Sequence, residues 1–381
     1  MGFFDAPAPP KTELGRYRIL ATTAGVRVSP LVLGAMSIGE AWDFMGTMKE
    51  TESYKLLDSY YDLGGNFIDT ANNYQNEQSE TIIGDWMKLR DNRDMLFIAT
   101  KYTINYRRHH ENSSRSVNYG GNSKKSMFIS LEASLKKLQT SYIDLFYVHL
   151  WDWSTSIPEI MDSLDILVKQ GKVLYLGVSD TPAWVVSAAN EYARAHGKTP
   201  FSVYQGRWNL ADRAFEREIV PMARHYGMAL CPWNVLMGGQ LQTKAQREAR
   251  AANSDGGRGD NPSPKNVAIS DALEKIASSH GSATIQQIAL AYIRSKAPNV
   301  FPIIGGRKVS HLEDNIKALD VVLTKEEISS IDSIQPFDLG FPLDMIGDDP
   351  RTGAGRPPIV GALLGADLAF TPFPENGRYI S

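Results

Sequence analysis

Short apolar runs alternate with longer amphipathic stretches along most of this chain. Residues 31–33 form an apolar run closed by Gly34, and 53–63 carry apolar side chains at helical spacing (Tyr54, Leu57, Tyr61) before Gly64-Gly65. That pattern predicts a strand followed by a glycine-stopped helix. The unit then recurs: 66–69 precedes a helical pattern at 80–89, 96–100 precedes one at 124–138, and 143–149 one at 158–170. Four more pair 173–178 with 183–196, 202–204 with 215–226, 228–231 with 284–295, and 300–304 with 309–319. Ahead of the series, 17–20 and 26–29 are β-prone and separated by Thr-Thr-Ala-Gly, which predicts a hairpin.

Most of the strand runs are continuously apolar, as parallel strands buried on both faces are. Eight such units without a switch in composition predict a (β/α)8 TIM barrel of the α/β class rather than a doubly wound sheet. The expected organisation is a leader over 1–14, the barrel over 15–334 and a C-terminal extension over 335–381. Insertions at 102–123 and 240–268, after the third and seventh strands, read as polar loops at the barrel mouth. A further helix is expected at 325–334, whereas the Pro- and Gly-dense tail beyond it receives no element.

Composition narrows the function. With 43% hydrophobic residues in 381, the chain has ample material for a core, which excludes a disordered protein. Forty basic against forty-three acidic residues, a net charge of −3, give no footprint for a polyanion, so nucleic acid is not an expected partner. A single cysteine, Cys231, forms no intramolecular disulfide and suits a reducing compartment. The Pro/Ala-rich start has no basic stretch leading into an apolar one, and no apolar run approaches the roughly 18 residues of a membrane helix. A cytoplasmic protein without a membrane partner is expected.

In such barrels the segments that follow each strand meet at one mouth, so chemistry is sought there. Asp69, Tyr74, Lys101 and His149 each lie at or just past the end of a strand run. Singly, each has an ordinary structural explanation as a cap, a packing residue, a solvated cation or a hydrogen-bonded ring. Together they make a proton-donating device. A phenol of pKa about 10 is a poor acid near neutral pH unless a cation favours its phenolate. Lys101 supplies that cation, Asp69 holds Lys101, and His149 orients a carbonyl oxygen against the Tyr74 hydroxyl. No Gly-x-Ser-x-Gly elbow, no Cys beside a His and no metal-binding spacing is found, so hydride from a cofactor is the expected partner.

The strings GGNFIDTANNY, FIATKY, IDLFYVHLWD, LGVSD and PIIGGRKVSHLEDNI resemble the aldo-keto reductases over about residues 15–334. Within them the chain is most similar to the fungal aryl-alcohol dehydrogenase and norsolorinic acid reductase types, through its leader, the segment YGGNSKKSM and the long tail. The resemblance implies that Tyr74 is the proton donor, Lys101 and Asp69 its activating pair, and His149 the carbonyl-orienting residue. It further implies an NADPH or NADP+ cofactor whose carboxamide meets Ser179, Asp180 and Gln205 and whose ring stacks on Trp233. Asp69, Asn234, Val235, Leu236, Gly238 and Gly239 also count as cofactor contacts, the last five from a loop over the pyrophosphate. Gly305, Gly306 and Arg307 would take the 2′-phosphate region, with Asp314 and Asn315 at the adenine and His311 among the contacts. Trp233, Asp180 and Val235 stand where the family more often has Tyr, Asn and Pro.

No Gly-x-Gly-x-x-Gly follows the first strand, which disfavours a Rossmann domain. Aromatic residues are frequent after several strands, and Trp42, Tyr102 and Trp151 are the expected substrate contacts beside His149. The run Arg107-Arg108-His109-His110 reads as a solvated loop, with attraction of an anionic substrate as the alternative. The expected activity is NADPH-dependent, reversible reduction of an aryl aldehyde or aromatic polyketide-type ketone. The alternatives are a nicotinamide-sensing accessory subunit with little turnover and a cofactor-free barrel isomerase or hydrolase using Asp69 and His149.

Overall fold

Alternation of inward and outward side chains organises the molecule. The computed structural model describes residues 8–252, 262–352, 365 and 370–373. A hairpin of β1 (Arg18–Ala21) and β2 (Ala24–Val28) comes first. Eight parallel strands follow: β3 (Val32–Gly34), β4 (Phe67–Asp69), β5 (Phe97–Tyr102), β6 (Ile143–Val148), β7 (Val173–Ser179), β8 (Phe201–Arg207), β9 (Ala229–Trp233) and β10 (Ile303–Ile304). Neighbours pair in chain order and β10 pairs with β3. Between β9 and β10 the ring closes through a bridge of Leu230 with Val300, where the Phe301 N–H donates to Leu230 O at 2.8 Å. This is the (β/α)8 barrel expected.

Each inward side chain belongs to a layer because successive strand residues face opposite ways. The lowest layer is apolar, holding Val32, Phe67, Phe97, Leu145, Val203, Ala229 and Phe301. Leu20, Ala21, Ala24 and Val28 of the hairpin join the same buried cluster, so β1 and β2 form its floor. Two residues further along the strands, the inward positions become polar: Asp69 on β4, Lys101 on β5 above Ala99, Gln205 on β8. Tyr147 pairs with Lys101 in the sheet, and Gly177 makes its room, because a Cβ there would come 2.5 Å from the Tyr147 ring. The larger core lies between strands and helices.

The surrounding helices are α1 (Glu50–Asp62), α2 (Gln78–Arg90), α3 (Lys124–Lys137), α4 (Ile157–Lys169), α5 (Ala183–Ala195), α6 (Phe215–Tyr226), α7 (Lys244–Ala252), α8 (Pro264–Ser279), α9 (Ile285–Ser295), α10 (Val309–Ile316), α11 (Lys325–Ile334) and the short α12 (Leu343–Ile346). Helix α4 shows how sequence specifies one. Ser156 caps it by accepting from the Glu159 N–H, Pro158 occupies the first turn, and Ile160, Met161, Leu164 and Leu167 form the buried stripe.

One expectation needs correction. The insertion expected as a loop over 240–268 contains α7 and the start of α8, the latter capped by Ser263 with Pro264 in its first turn. Ser263 and Pro264 close a stretch rich in Gly, Ser, Asp and Pro, which is why the sequence pattern gives no helix start there; residues 253–261 fall outside the described part. The extension also acquires contacts: Arg217 on α6 donates to Leu339 O at 2.6 Å and Asp338 O at 3.0 Å. Arg213 and Arg217 lie over the Phe337 ring, which places the described start of the tail along the side of the barrel. Among the described residues, no helix is long and apolar enough to cross a membrane.

Gly84 shows how tightly α2 and α3 meet, since a Cβ there would stand 2.1 Å from the Lys137 carbonyl oxygen. Backbone cannot swing aside as a side-chain tip can. Gly84→Ala is therefore expected to destabilise the protein by about 1–3 kcal/mol through overpacking, despite a helix-propensity gain of about 1 kcal/mol. Urea denaturation checks this, and an unchanged or higher midpoint would refute the close contact.

Candidate active site

Four side chains converge where the polar inner layer opens to solvent. Lys101 is fully buried on β5, and its Nζ bonds to Asp69 Oδ1, to Thr70 O at 2.7 Å, and reaches the Tyr74 hydroxyl at 3.5 Å. The other Asp69 oxygen accepts from Gln205 Nε2 at 2.8 Å. Both carboxylate oxygens are thus committed, which fixes Asp69 and through it the ammonium. The link to Tyr74 lies at the outer limit of a hydrogen bond, so Lys101 acts on it mainly as a nearby charge.

Tyr74 sits in the β4–α2 loop, held by an unusual turn. Gln75, Asn76 and Glu77, none of them glycine, follow it in left-handed conformation with φ of 51°, 50° and 78°. Such residues cost about 1–3 kcal/mol each and persist only where their surroundings over-determine them. Here the restraints are visible. Gln75 accepts from the Trp42 N–H at 2.8 Å and donates to Met36 O at 3.0 Å, while Asn76 accepts from the Trp42 indole at 3.0 Å. The indole consequently stands edge-on to Tyr74, with ring centroids 6.1 Å apart.

His149 closes β6, its ring edge-on to Tyr74 at 5.9 Å. Its buried Nδ1 has no hydrogen-bond partner among the described residues. Burial first, and the Lys101 charge second, push its pKa well below the ordinary value, so the ring is neutral and carries a single N–H. For Tyr74 the expectation of an acidified phenol is corrected: burial raises its pKa more than Lys101 lowers it. Part of the ammonium's field is cancelled by Asp69 beside it. Lys101 itself stays charged, because Asp69 and Tyr74 outweigh the burial that opposes its charge.

The expected cofactor residues fall around the same mouth. Ser179 and Gln205 are buried at the ends of β7 and β8, paired with one another in the sheet, and Asp180 follows at the rim with φ 40°. Trp233 ends β9 opposite Arg207, whose guanidinium lies 6.0 Å from the indole and pairs with Asp212 at 2.6 Å. After Trp233, Asn234, Gly238 and Gly239 have positive φ, and Val235 turns into the core, with Leu236 packed partly against it. Gly305, Gly306 and Arg307 follow β10 at the start of α10, and Arg307 lies across Gly46 of the β3 loop. His311 is exposed. Asp314 faces the neighbouring helix instead, accepting from Thr284 at 2.9 Å and Gln287 at 2.7 Å, and Asn315 is buried.

Of the expected substrate contacts, Trp42 stands over Tyr74, but Tyr102 does not reach the mouth. It is the next residue after Lys101 on β5 and therefore points outward, fully buried, stacked on Phe146 with its hydroxyl on Asn122 O at 3.2 Å. Trp151 packs beside Val148, Ile157 and Val185 in the outer layer. Trp208 is buried against Phe215.

Sequence reasoning missed the layer behind the loop. Lys137 on α3 donates to Asn72 O at 2.9 Å and pairs with Glu80 at 2.8 Å and Glu77 at 3.0 Å, while Thr100 donates to Glu80 at 2.5 Å. These contacts hold the loop bearing Tyr74 against β5 and α3. A lysine in a last helical turn resembles an ordinary helix-end cation, so no local signal marked it. Arg207 was detectable, being two residues beyond Gln205 and hence on the same face.

Comparison with known proteins shows what the chain is similar to. Residues 30–336 match the model of the Aldo/keto reductase family. The chain is 52% identical to "Aryl-alcohol dehydrogenase [NADP(+)]" of Phanerodontia chrysosporium, covering 90% of this chain and 92% of the relative. It is 54% identical to aldo-keto reductase ausK of Aspergillus calidoustus over 97% and 93%, and 50% identical to norsolorinic acid reductase of Aspergillus flavus over 91% and 87%. A barrel carrying Asp69, Lys101, Tyr74 and His149 at one mouth, matched along most of its length, belongs to the aldo/keto reductase family.

Proposed function

We propose that this protein reduces an aryl aldehyde or aromatic ketone with NADPH, reversibly, and that Tyr74 delivers the proton. The observation that carries this reading is the buried Asp69–Lys101 pair beneath the Tyr74 hydroxyl, facing a neutral His149. The names of the relatives from Phanerodontia and Aspergillus flavus support the cofactor and the aromatic substrate. The residues present also fit a dinucleotide. Among the described residues nothing lies within 4 Å of a Cβ built on Gly305, whose φ is not in the left-handed region, so neither packing nor backbone conformation requires glycine there, whereas Gly238 and Gly306 are set by their positive φ. Open backbone beside a helix start suits a phosphate.

A bound nicotinamide would supply hydride to the carbonyl carbon. The protein's part is positional and electrostatic. The His149 N–H donates to the carbonyl oxygen, Tyr74 places its hydroxyl on the same oxygen, and Lys101 stabilises the phenolate left when the proton departs. Asp69 and Gln205 keep Lys101 from following the substrate. Trp42 covers Tyr74 and offers an aromatic wall to a flat substrate. A panel of aryl aldehydes, ketones and alcohols assayed with NADPH and NADH in parallel tests the reading; no turnover on any member with either cofactor would overturn it.

Two outcomes follow. Reduction needs the neutral phenol, and Tyr74 titrates above its ordinary value of about 10. The reductive kcat is thus expected to stay flat through neutral pH and to fall only in the strongly alkaline range, while alcohol oxidation rises with pH. A reductive profile with a midpoint near neutrality would contradict the raised value. Arg307→Ser should lower the preference for NADPH over NADH by about 10- to 100-fold, the equivalent of one charge-assisted hydrogen bond of about 1.5–3 kcal/mol. Steady-state KM for both cofactors measures it, and equal losses for the two would place Arg307 elsewhere.

A further inference from the structure

We propose that Glu77, His109 and His110 form a site for a divalent transition metal of the zinc type at the rim of the barrel mouth. The residues come from two loops. Glu77 belongs to the left-handed turn after Tyr74, and the two histidines to the long insertion after β5. His110 Nε2 lies 3.0 Å and His109 Nε2 3.8 Å from the same oxygen, Glu77 Oε1. One donor atom from each of the three falls within 4.8 Å of the others.

A tetrahedral ion with bonds of about 2.0–2.2 Å holds its donors roughly 3.3–3.5 Å apart. The two distances to Glu77 Oε1, 3.0 and 3.8 Å, bracket that spacing, and rotation of the exposed imidazoles brings donors now within 4.8 Å of one another the rest of the way. Two imidazoles and one carboxylate select zinc, nickel or copper over calcium and magnesium, which take oxygen donors. His110 is 40% exposed on its side chain, so a fourth position opens to solvent for water. Lys137 sits on the opposite oxygen, Glu77 Oε2, at 3.0 Å. It orients the carboxylate while leaving Oε1 to the histidines, the usual task of a residue behind a metal ligand.

The site eluded sequence reading because its members are not locally spaced; the fold joins two loops. A metal bound there would fasten the β5 insertion to the turn that carries Tyr74, three residues from Glu77. It concerns binding alone and stands or falls independently of the proposed reaction.

Untagged full-length protein, stripped with chelator, is to be titrated with Zn2+ by calorimetry and with Co2+ by visible absorption. Stoichiometric binding at micromolar metal is expected, with intense Co2+ bands of low coordination number. His110→Ala and the double substitution His109→Ala/His110→Ala should each weaken binding about tenfold or more. The exposed His225→Ala should not. Absence of binding at micromolar metal, or equal affinity in the wild type and the double variant, would overturn the proposal. His110→Ala alters one exposed ring and leaves the Glu77–Lys137 contact in place, so its result is read on a folded protein.

Discussion

Tyr74→Phe is expected to leave NADPH affinity within about twofold and to lower kcat for aryl aldehyde reduction by about 10³-fold, within the range for loss of a general acid. The hydroxyl is the only atom removed. Its hydrogen-bond partner among the described residues is Lys101 at 3.5 Å, a contact too long to stabilise the fold much. The turn of Gln75, Asn76 and Glu77 and the edge-on Trp42 remain, so the ring stays placed. Cofactor fluorescence titration and steady-state kinetics separate binding from turnover. If the variant turned over at the wild-type rate, the proton would come from another group, and the assignment of Tyr74 would fail.

Lys101→Met should have the largest structural effect. It leaves the Asp69 carboxylate buried without its cation, holding only the Gln205 amide. Removing one partner of a buried pair typically costs about 3–5 kcal/mol, because the remaining charge is uncompensated. Activity should fall in step with Tyr74→Phe, as the phenolate would lose its stabilising charge. Pairing the change with Asp69→Asn removes the stranded charge, so the double variant is expected to regain much of the stability and none of the activity. That split distinguishes support of the fold from support of the reaction. Chemical denaturation of the four proteins in the cycle gives the answer; a loss below about 1 kcal/mol in Lys101→Met would show the pair to be weakly coupled.

Periodicity carried far in this chain because barrel strands are short apolar runs, and glycines or caps mark the helices between them. It could not tell the two faces of such a strand apart, since both are buried. Tyr102 shows the consequence: a tyrosine beside Lys101 looks like a mouth residue until β5 is paired and the alternation sends it outward. Helix α8 was hidden differently, because its signals, Ser263 and Pro264, close a run of loop-forming residues. The four central residues were legible as a group because Asp69, Lys101 and His149 lie at or next to strand ends and Tyr74 follows in the loop after β4. What ties them together was not: Gln205 reaches Asp69 across 136 residues, and Lys137 approaches Asn72 from another helix. The balance at Tyr74 was also beyond reach, for the sequence places a cation nearby without saying how deeply the phenol is buried.

The central claim is that hydride and proton meet at one carbonyl held between Tyr74 and His149. Its most direct test is a single-turnover reaction of the purified protein with an aryl aldehyde and NADPH deuterated at nicotinamide C4, with the alcohol analysed by mass spectrometry and NMR. Deuterium on the new benzylic carbon in the wild type, and none formed on that timescale by Tyr74→Phe, is the predicted result. An alcohol that carries no label, or a variant that transfers it as fast as the wild type, would contradict the account.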